Sequence, residues 1–229
     1  PTLREDPTWW RTRGGANFLA GRFHEAVKAY KEAVRLGHQG SKPLLADALL
    51  FAGEYAKSLE AFDAALDDDN LSTPEWQLKR TTLPALLARA HIGARQDRKV
   101  EEAAELARAC DDRDHLERAL SLDLLCGEAL YRLAEIERAS GGDAAPLAVM
   151  SALADPYVPI AWLLAIRCIP DSEEEVFAAV AHCAKKFCED EIIEMLLSDP
   201  DTSPLAQIFS DMFEEIAEEG HVAPSDEET

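Results

Sequence analysis

Apolar residues recur at helical spacing along most of this chain, and the pattern predicts an all-α protein. Val176, Phe177, Val180, Ala181, Ala184 and Phe187 form one such stripe, opened by Ser172 and Glu175 as a capping box. Further on, Leu205, Ile208, Phe209, Met212, Phe213 and Ile216 share a face, while Asp211, Glu214, Glu215, Glu218 and Glu219 cover the opposite side. Ser203-Pro204 marks the start of that strongly amphipathic helix, a cap followed by proline in the first turn. Asp155-Pro156 predicts a turn, and Pro159 starts a nearly all-apolar helix through Ile160, Trp162, Leu163, Leu164 and Ile166 that is expected to be buried. From Pro74 to Asp123 there are no good glycine stops, so two unusually long helices are expected, broken near Pro84 and near Asp111 to Asp114. Pro84 could equally start a helix. Residues 220–229 read as a disordered acidic tail.

The pattern also repeats. Gly21, Phe23, Tyr30 and Ala33 match Gly53, Tyr55, Phe62 and Ala65, each pair 32 residues apart. Around the first set stand Trp10, Arg13-Gly14, Asn17 and Ala26, and a third copy is visible at Leu130, Leu133-Ala134, Gly141, Pro146 and Met150. This signature resembles the tetratricopeptide repeat, with Arg13, Asn17 and His38 in place of the family's Leu, Tyr and Pro. Small residues such as Gly14, Ala26 and Ala33 let two antiparallel helices approach, and Phe23 and Tyr30 fill the seam between them. Gly21 and Gly53 suit the left-handed conformation that ends the first helix of each pair. The resemblance implies an α-solenoid of antiparallel helix pairs over residues 1–169, acidic C-terminal helices over 170–219 that pack on it and cap it, and the tail at 220–229.

In this family the first helix of each pair lines a concave binding surface. Carried onto this chain, that face is Thr8, Arg11, Gly15 and Phe18, then Gly40, Pro43, Asp47 and Leu50, then Glu128, Tyr131, Glu135 and Arg138. Phe18 and Tyr131 are the expected anchors, because aromatic side chains dominate interface energetics. The family's best-known mode, a two-carboxylate clamp for the acidic tails of heat-shock chaperones, is not expected. The positions that would carry its basic and asparagine ligands hold Arg11, Gly15 and Leu44. The face of Phe209, Met212 and Phe213 must dock on something: the open end of the solenoid, or, as a detachable helix, the groove or a partner.

Charge narrows the choice of partner. From Ile160 onward three Lys and Arg stand against eighteen Asp and Glu, a net of −15, while the first 159 residues carry −6. Such a surface repels phosphate backbones, so nucleic acid is not an expected partner, and a basic protein or peptide is. An acidic polar face argues against membrane binding, and no apolar run reaches the roughly 20 residues of a bilayer span. Five cysteines without framework spacing fit free thiols in a reducing, cytoplasmic setting. The chain starts at Pro1, which reads as a processed or excised piece.

No catalytic constellation stands out. There is no nucleophile elbow, phosphate-cradling glycine loop or metalloprotease motif, and no cofactor is expected. His182-Cys183 and Cys188 match no zinc spacing and are expected to be buried thiols beside a histidine, with no metal. His24, His38, His91, His115 and His221 show no partner carboxylate at a telling spacing. The expected function is therefore a non-enzymatic protein–protein interaction module, an adaptor, scaffold or co-chaperone-like protein. The alternatives are a helical sensor or enzyme holding a small ligand in an enclosed cavity, and an architectural subunit whose groove is filled by its own C-terminal helix.

Overall fold

The first two helix pairs are built by one local device used twice. Asp6 caps α1 (Pro7–Leu19) by accepting a hydrogen bond from the Thr8 amide at 2.8 Å, with Pro7 in the first turn. The helix ends on Gly21 at φ +70°, where the Gly21 amide donates to the Phe18 carbonyl and the Arg22 amide to that of Asn17. Then α2 (Phe23–Arg35) returns along α1, and the pair closes tightly. A Cβ on Gly14 would lie 2.5 Å from the Tyr30 ring. A short 3-10 turn leads into α3 (Lys42–Phe51), which ends the same way on Gly53 at φ +74° before α4 (Tyr55–Leu66). The repeated letters do what their spacing promised: Ala26, Ala33, Tyr55, Phe62 and Ala65 are all fully buried. Phe23 takes a different seat, half-buried in an aromatic cluster with Phe18 and Phe51.

This computed structural model describes residues 5–66, 71, 73–110, 112–170 and 172–198, and among them every regular element is helical. The amphipathic segment with Phe209, Met212 and Phe213, and the tail, lie outside the described residues. No helix among those described is long and apolar enough to cross a membrane.

The middle differs from the expected two long helices. Among the described residues there are three: α5 (Pro74–Arg89), α6 (Val100–Ala109) and α7 (Arg113–Leu122). Pro84 does not break α5, because it sits on the exposed side, where water can take up the carbonyl its missing amide leaves free. The break comes instead at His91, which adopts φ +52° and supports the same turn as the glycines, with the Ile92 amide donating to the Leu87 carbonyl at 3.1 Å. The expected break near Asp111 to Asp114 is present, with Asp112 capping α7.

Beyond it run α8 (Gly127–Ser140), α9 (Ala145–Ala154), α10 (Pro159–Cys168) and α11 (Glu174–Ser198). Here α11 begins at Glu174, so Ser172 is not its cap, and its helical geometry lapses at Cys188. Neighbouring helices pack pairwise along the chain: α1 on α2, α2 on α3, α3 on α4, and from α6 each helix on the next. An exception is α5, whose main partners are α9 and α11. That long-range docking departs from an array in which each pair touches only its neighbours.

Polar bonds fix it. Lys79 of α5, 5% exposed, donates to Asp47 of α3 at 2.9 Å and to Glu75 at 2.8 Å, and Glu75 in turn accepts from Lys186 of α11 at 3.2 Å. Trp76 Nε1 donates to the other Asp47 oxygen at 3.2 Å. Burial alone would lower the pKa of Lys79, but Asp47 and Glu75 raise it instead. Burial alone would raise that of Glu75, and the two lysines more than offset this and hold it below its ordinary value.

Candidate functional site

Between α6, α8, α9 and α10 lies a cleft of about 690 Å³. Its walls are set by the turn before α10. Trp162, fully buried, donates from its indole N–H to the Pro156 carbonyl at 2.8 Å, pinning the turn. Pro159 in the first turn of α10 leaves Val158 extended as the cap. Val158 and Ile160 then stand on the cleft wall at 36% and 46% exposure, facing Val100 of α6 at 52%. Ile160 was expected in the core, and it is not there. Among the described residues five large apolar side chains are exposed, and three of them meet on this one hollow as a concentrated apolar patch.

The polar lining is acidic. Asp123, Glu128, Glu135 and Asp155 face two bases, Arg98 and Arg132. Both arginines are already engaged within the cleft, Arg98 on buried Asp123 through two bonds of 2.6 and 3.1 Å and Arg132 on Glu128 at 2.6 Å. The hollow keeps an excess of negative charge. Tyr131, half-buried, points its hydroxyl at Glu135 at 3.4 Å. Burial and the neighbouring Glu135 both push that phenol above its ordinary pKa, so it remains a hydrogen-bond donor at neutral pH.

A second hollow of about 340 Å³, lined by Gly21, Phe23, Phe51 and Gln96 among others, shares Arg98 and Val100 with the first. The two therefore adjoin across the 90–99 segment. That segment is held firmly. The Gln96 amide donates to the Gly53 carbonyl at 2.9 Å, and its side chain accepts from the Tyr55 hydroxyl at 2.7 Å and donates to the Ser121 carbonyl at 2.6 Å. Arg98 also donates to the Phe51 carbonyl at 3.0 Å and stacks over the Phe51 ring.

Of the residues read as groove-lining from sequence, Glu128, Tyr131 and Glu135 come together here, and Arg138 is exposed farther along α8. The others do not join them. Arg11 is exposed on α1, Phe18 packs edge-on against Phe23 and Phe51, and Asp47 is bound to Lys79. Leu50, 1% exposed, is core and is corrected out of a partner-facing set. Val100, Val158, Ile160 and Asp155 were missed because an apolar stretch reads alike whether it is buried or left open at a helix start. Cys183 is fully buried, its thiol pushed up to about 12 by burial, and Cys188 is also buried. His115 does have a carboxylate neighbour, contrary to the sequence expectation: its Nδ1 lies 2.6 Å from Asp112.

No family model matches this chain. No curated protein matches it either.

Proposed function

We propose that this protein is a tetratricopeptide-like interaction module of solenoid type, and that its cleft takes an apolar segment of another protein flanked by Lys or Arg. The observation that supports this reading most is the meeting of Val100, Val158 and Ile160 with Tyr131 under surplus acid in one open hollow. Apolar anchors give affinity, and the acidic rim favours basic residues and speeds their encounter. The second hollow adjoins the first at Arg98 and Val100 and offers a neighbouring place for a segment longer than one anchor. An acidic segment fits poorly, and that includes the chain's own residues 199–229, which contain ten Asp and Glu and no Lys or Arg. The main hollow has the volume of a small-ligand site, but walls as exposed as Val100 and Ile160 do not enclose a small molecule. Five free cysteines fit a reducing, cytoplasmic setting.

Selection from a random peptide display library tests the proposal. Enriched peptides should carry a bulky apolar residue beside Lys or Arg, and should lose at least about tenfold in affinity on Tyr131→Ala and on Ile160→Asp. Peptides that bind both variants as well as the parent would overturn the cleft assignment. Selected peptides without basic residues would overturn the charge argument.

A further inference from the structure

We propose that Cys110, Asp112 and His115 form a site for a divalent transition-metal ion of the zinc type. The site lies at the junction of α6 and α7, and none of its three residues lines the cleft. Cys110 follows the last residue of α6 in extended conformation, and Asp112 caps α7. One oxygen of Asp112, Oδ1, performs the capping by accepting from the His115 amide at 3.0 Å. A cap needs nothing more. The other oxygen, Oδ2, faces Cys110 Sγ at 2.7 Å and His115 Nδ1 at 2.6 Å. A sulfur, a nitrogen and an oxygen from six consecutive positions thus converge, all within 4.8 Å of one another.

The donor set identifies the class of ion. Thiolate, imidazole and carboxylate together match zinc and cobalt(II), whereas calcium and magnesium require shells of oxygen. Metal–ligand bonds of about 2.0–2.3 Å place tetrahedral donors somewhat over 3 Å apart, so Oδ2 need only draw back slightly from Sγ and Nδ1. Asp112 and His115 are each 49% exposed, which leaves an entry path and room for a water as fourth ligand. On binding, the ion forms bonds to Sγ, Nδ1 and Oδ2. The Cys110 S–H bond breaks and its proton leaves to solvent, while His115 carries its remaining proton on Nε2. The bound ion would staple the end of α6 to the start of α7.

Titration of the full chain with cobalt(II) tests this by spectroscopy. One equivalent should produce a near-ultraviolet sulfur-to-cobalt charge-transfer band with visible bands of tetrahedral intensity, bleached by added zinc. Cys110→Ser should abolish the charge-transfer band, although four other cysteines remain. His115→Ala should weaken binding at least about tenfold. Asp112→Asn keeps a competent cap and should weaken binding while helicity holds. No band in the parent chain, a band that survives Cys110→Ser, or unchanged affinity in His115→Ala would each overturn the proposal.

Discussion

Residues 7–66 and residues 74–126 both hold helices in close register, with different chemistry. In the first region the means are steric: Gly14 lies under the Tyr30 ring, Gly21 and Gly53 turn the chain, and Ala26, Ala33 and Ala65 leave space for neighbours. In the second, polar ties are added to an apolar core that includes Leu78, Leu83, Leu86 and Leu116. Lys79 bridges Asp47 and Glu75, Arg98 grips Asp123, and Gln96 ties the α3–α4 turn to the end of α7. Steric fit depends on residue size and repeats along a chain, so it can serve in series. A polar tie depends on one partner at one distance, so it belongs to one place in the fold.

The sharpest break in that comparison is Lys79→Ala. Removing a buried cation leaves Asp47 and Glu75 without their main counter-charge, and a loss of about 3–5 kcal/mol in chemical denaturation is expected. Lys79→Met combined with Asp47→Asn should recover part of it. If Lys79→Ala costs no more than an average surface change, the polar account of α5 fails. The same triad gives a pH signature. The carboxyl of Glu75 is held below its ordinary 4.5, so its contribution is complete above that value and fades as pH falls through the depressed folded value. Glu75→Gln should flatten the acid limb of the stability curve below pH 4.5, and an unchanged limb would show that other groups set it.

Next in size is a pair of glycines that share a conformation and differ in surroundings. Gly21→Ala meets open space, so only its left-handed φ is penalised, about 1–2 kcal/mol. Gly53→Ala carries the same strain and also drives a Cβ to 2.0 Å from the Gln96 carbonyl oxygen. It should cost clearly more, unless the 90–99 segment yields. Equal effects from thermal melts would show that segment to be loosely held.

A smaller contrast separates two helical glycines. Gly14→Ala collides with the Tyr30 ring at 2.5 Å and should destabilise by about 1–3 kcal/mol. Gly127→Ala meets only ordinary contacts near 4 Å and should be neutral or slightly stabilising, since alanine favours helix. Opposite signs in the two variants would confirm that close approach, and not glycine itself, is what the first pair requires.

This contrast also explains what the sequence made legible. Steric devices leave a trace at fixed spacing, which is why Gly21, Gly53, Tyr55 and Phe62 could be placed in advance and why the third copy at Leu130, Leu133 and Ala134 lies in the core. The polar ties are harder to read: Lys79–Asp47 spans the same 32 residues as the repeated letters and Arg98–Asp123 spans 25, in a chain where charged residues are common everywhere. The turn at His91 escaped because a non-glycine residue takes the left-handed position. The cleft was half legible. Glu128, Tyr131 and Glu135 on its α8 face were among the positions the family resemblance implied, while Val100 of α6 and Val158 and Ile160 at the start of α10 had no such pointer.

The least disruptive test separates that cleft from the fold. Ile160 is 46% exposed in the first turn of α10, and Asp is well suited to a helix N-terminus, where it complements the dipole. Ile160→Asp should therefore change stability by no more than about 0.5 kcal/mol, as surface substitutions usually do. Leu163→Asp, three residues on and 4% exposed, would instead bury a charge and should unfold the C-terminal helices. If Ile160→Asp unfolds the protein as Leu163→Asp does, Ile160 is core and the apolar wall of the cleft is an artefact of packing. If the fold survives and peptide capture is lost, the exposed wall of α10 is there for binding, because it contributes nothing measurable to holding the helices together.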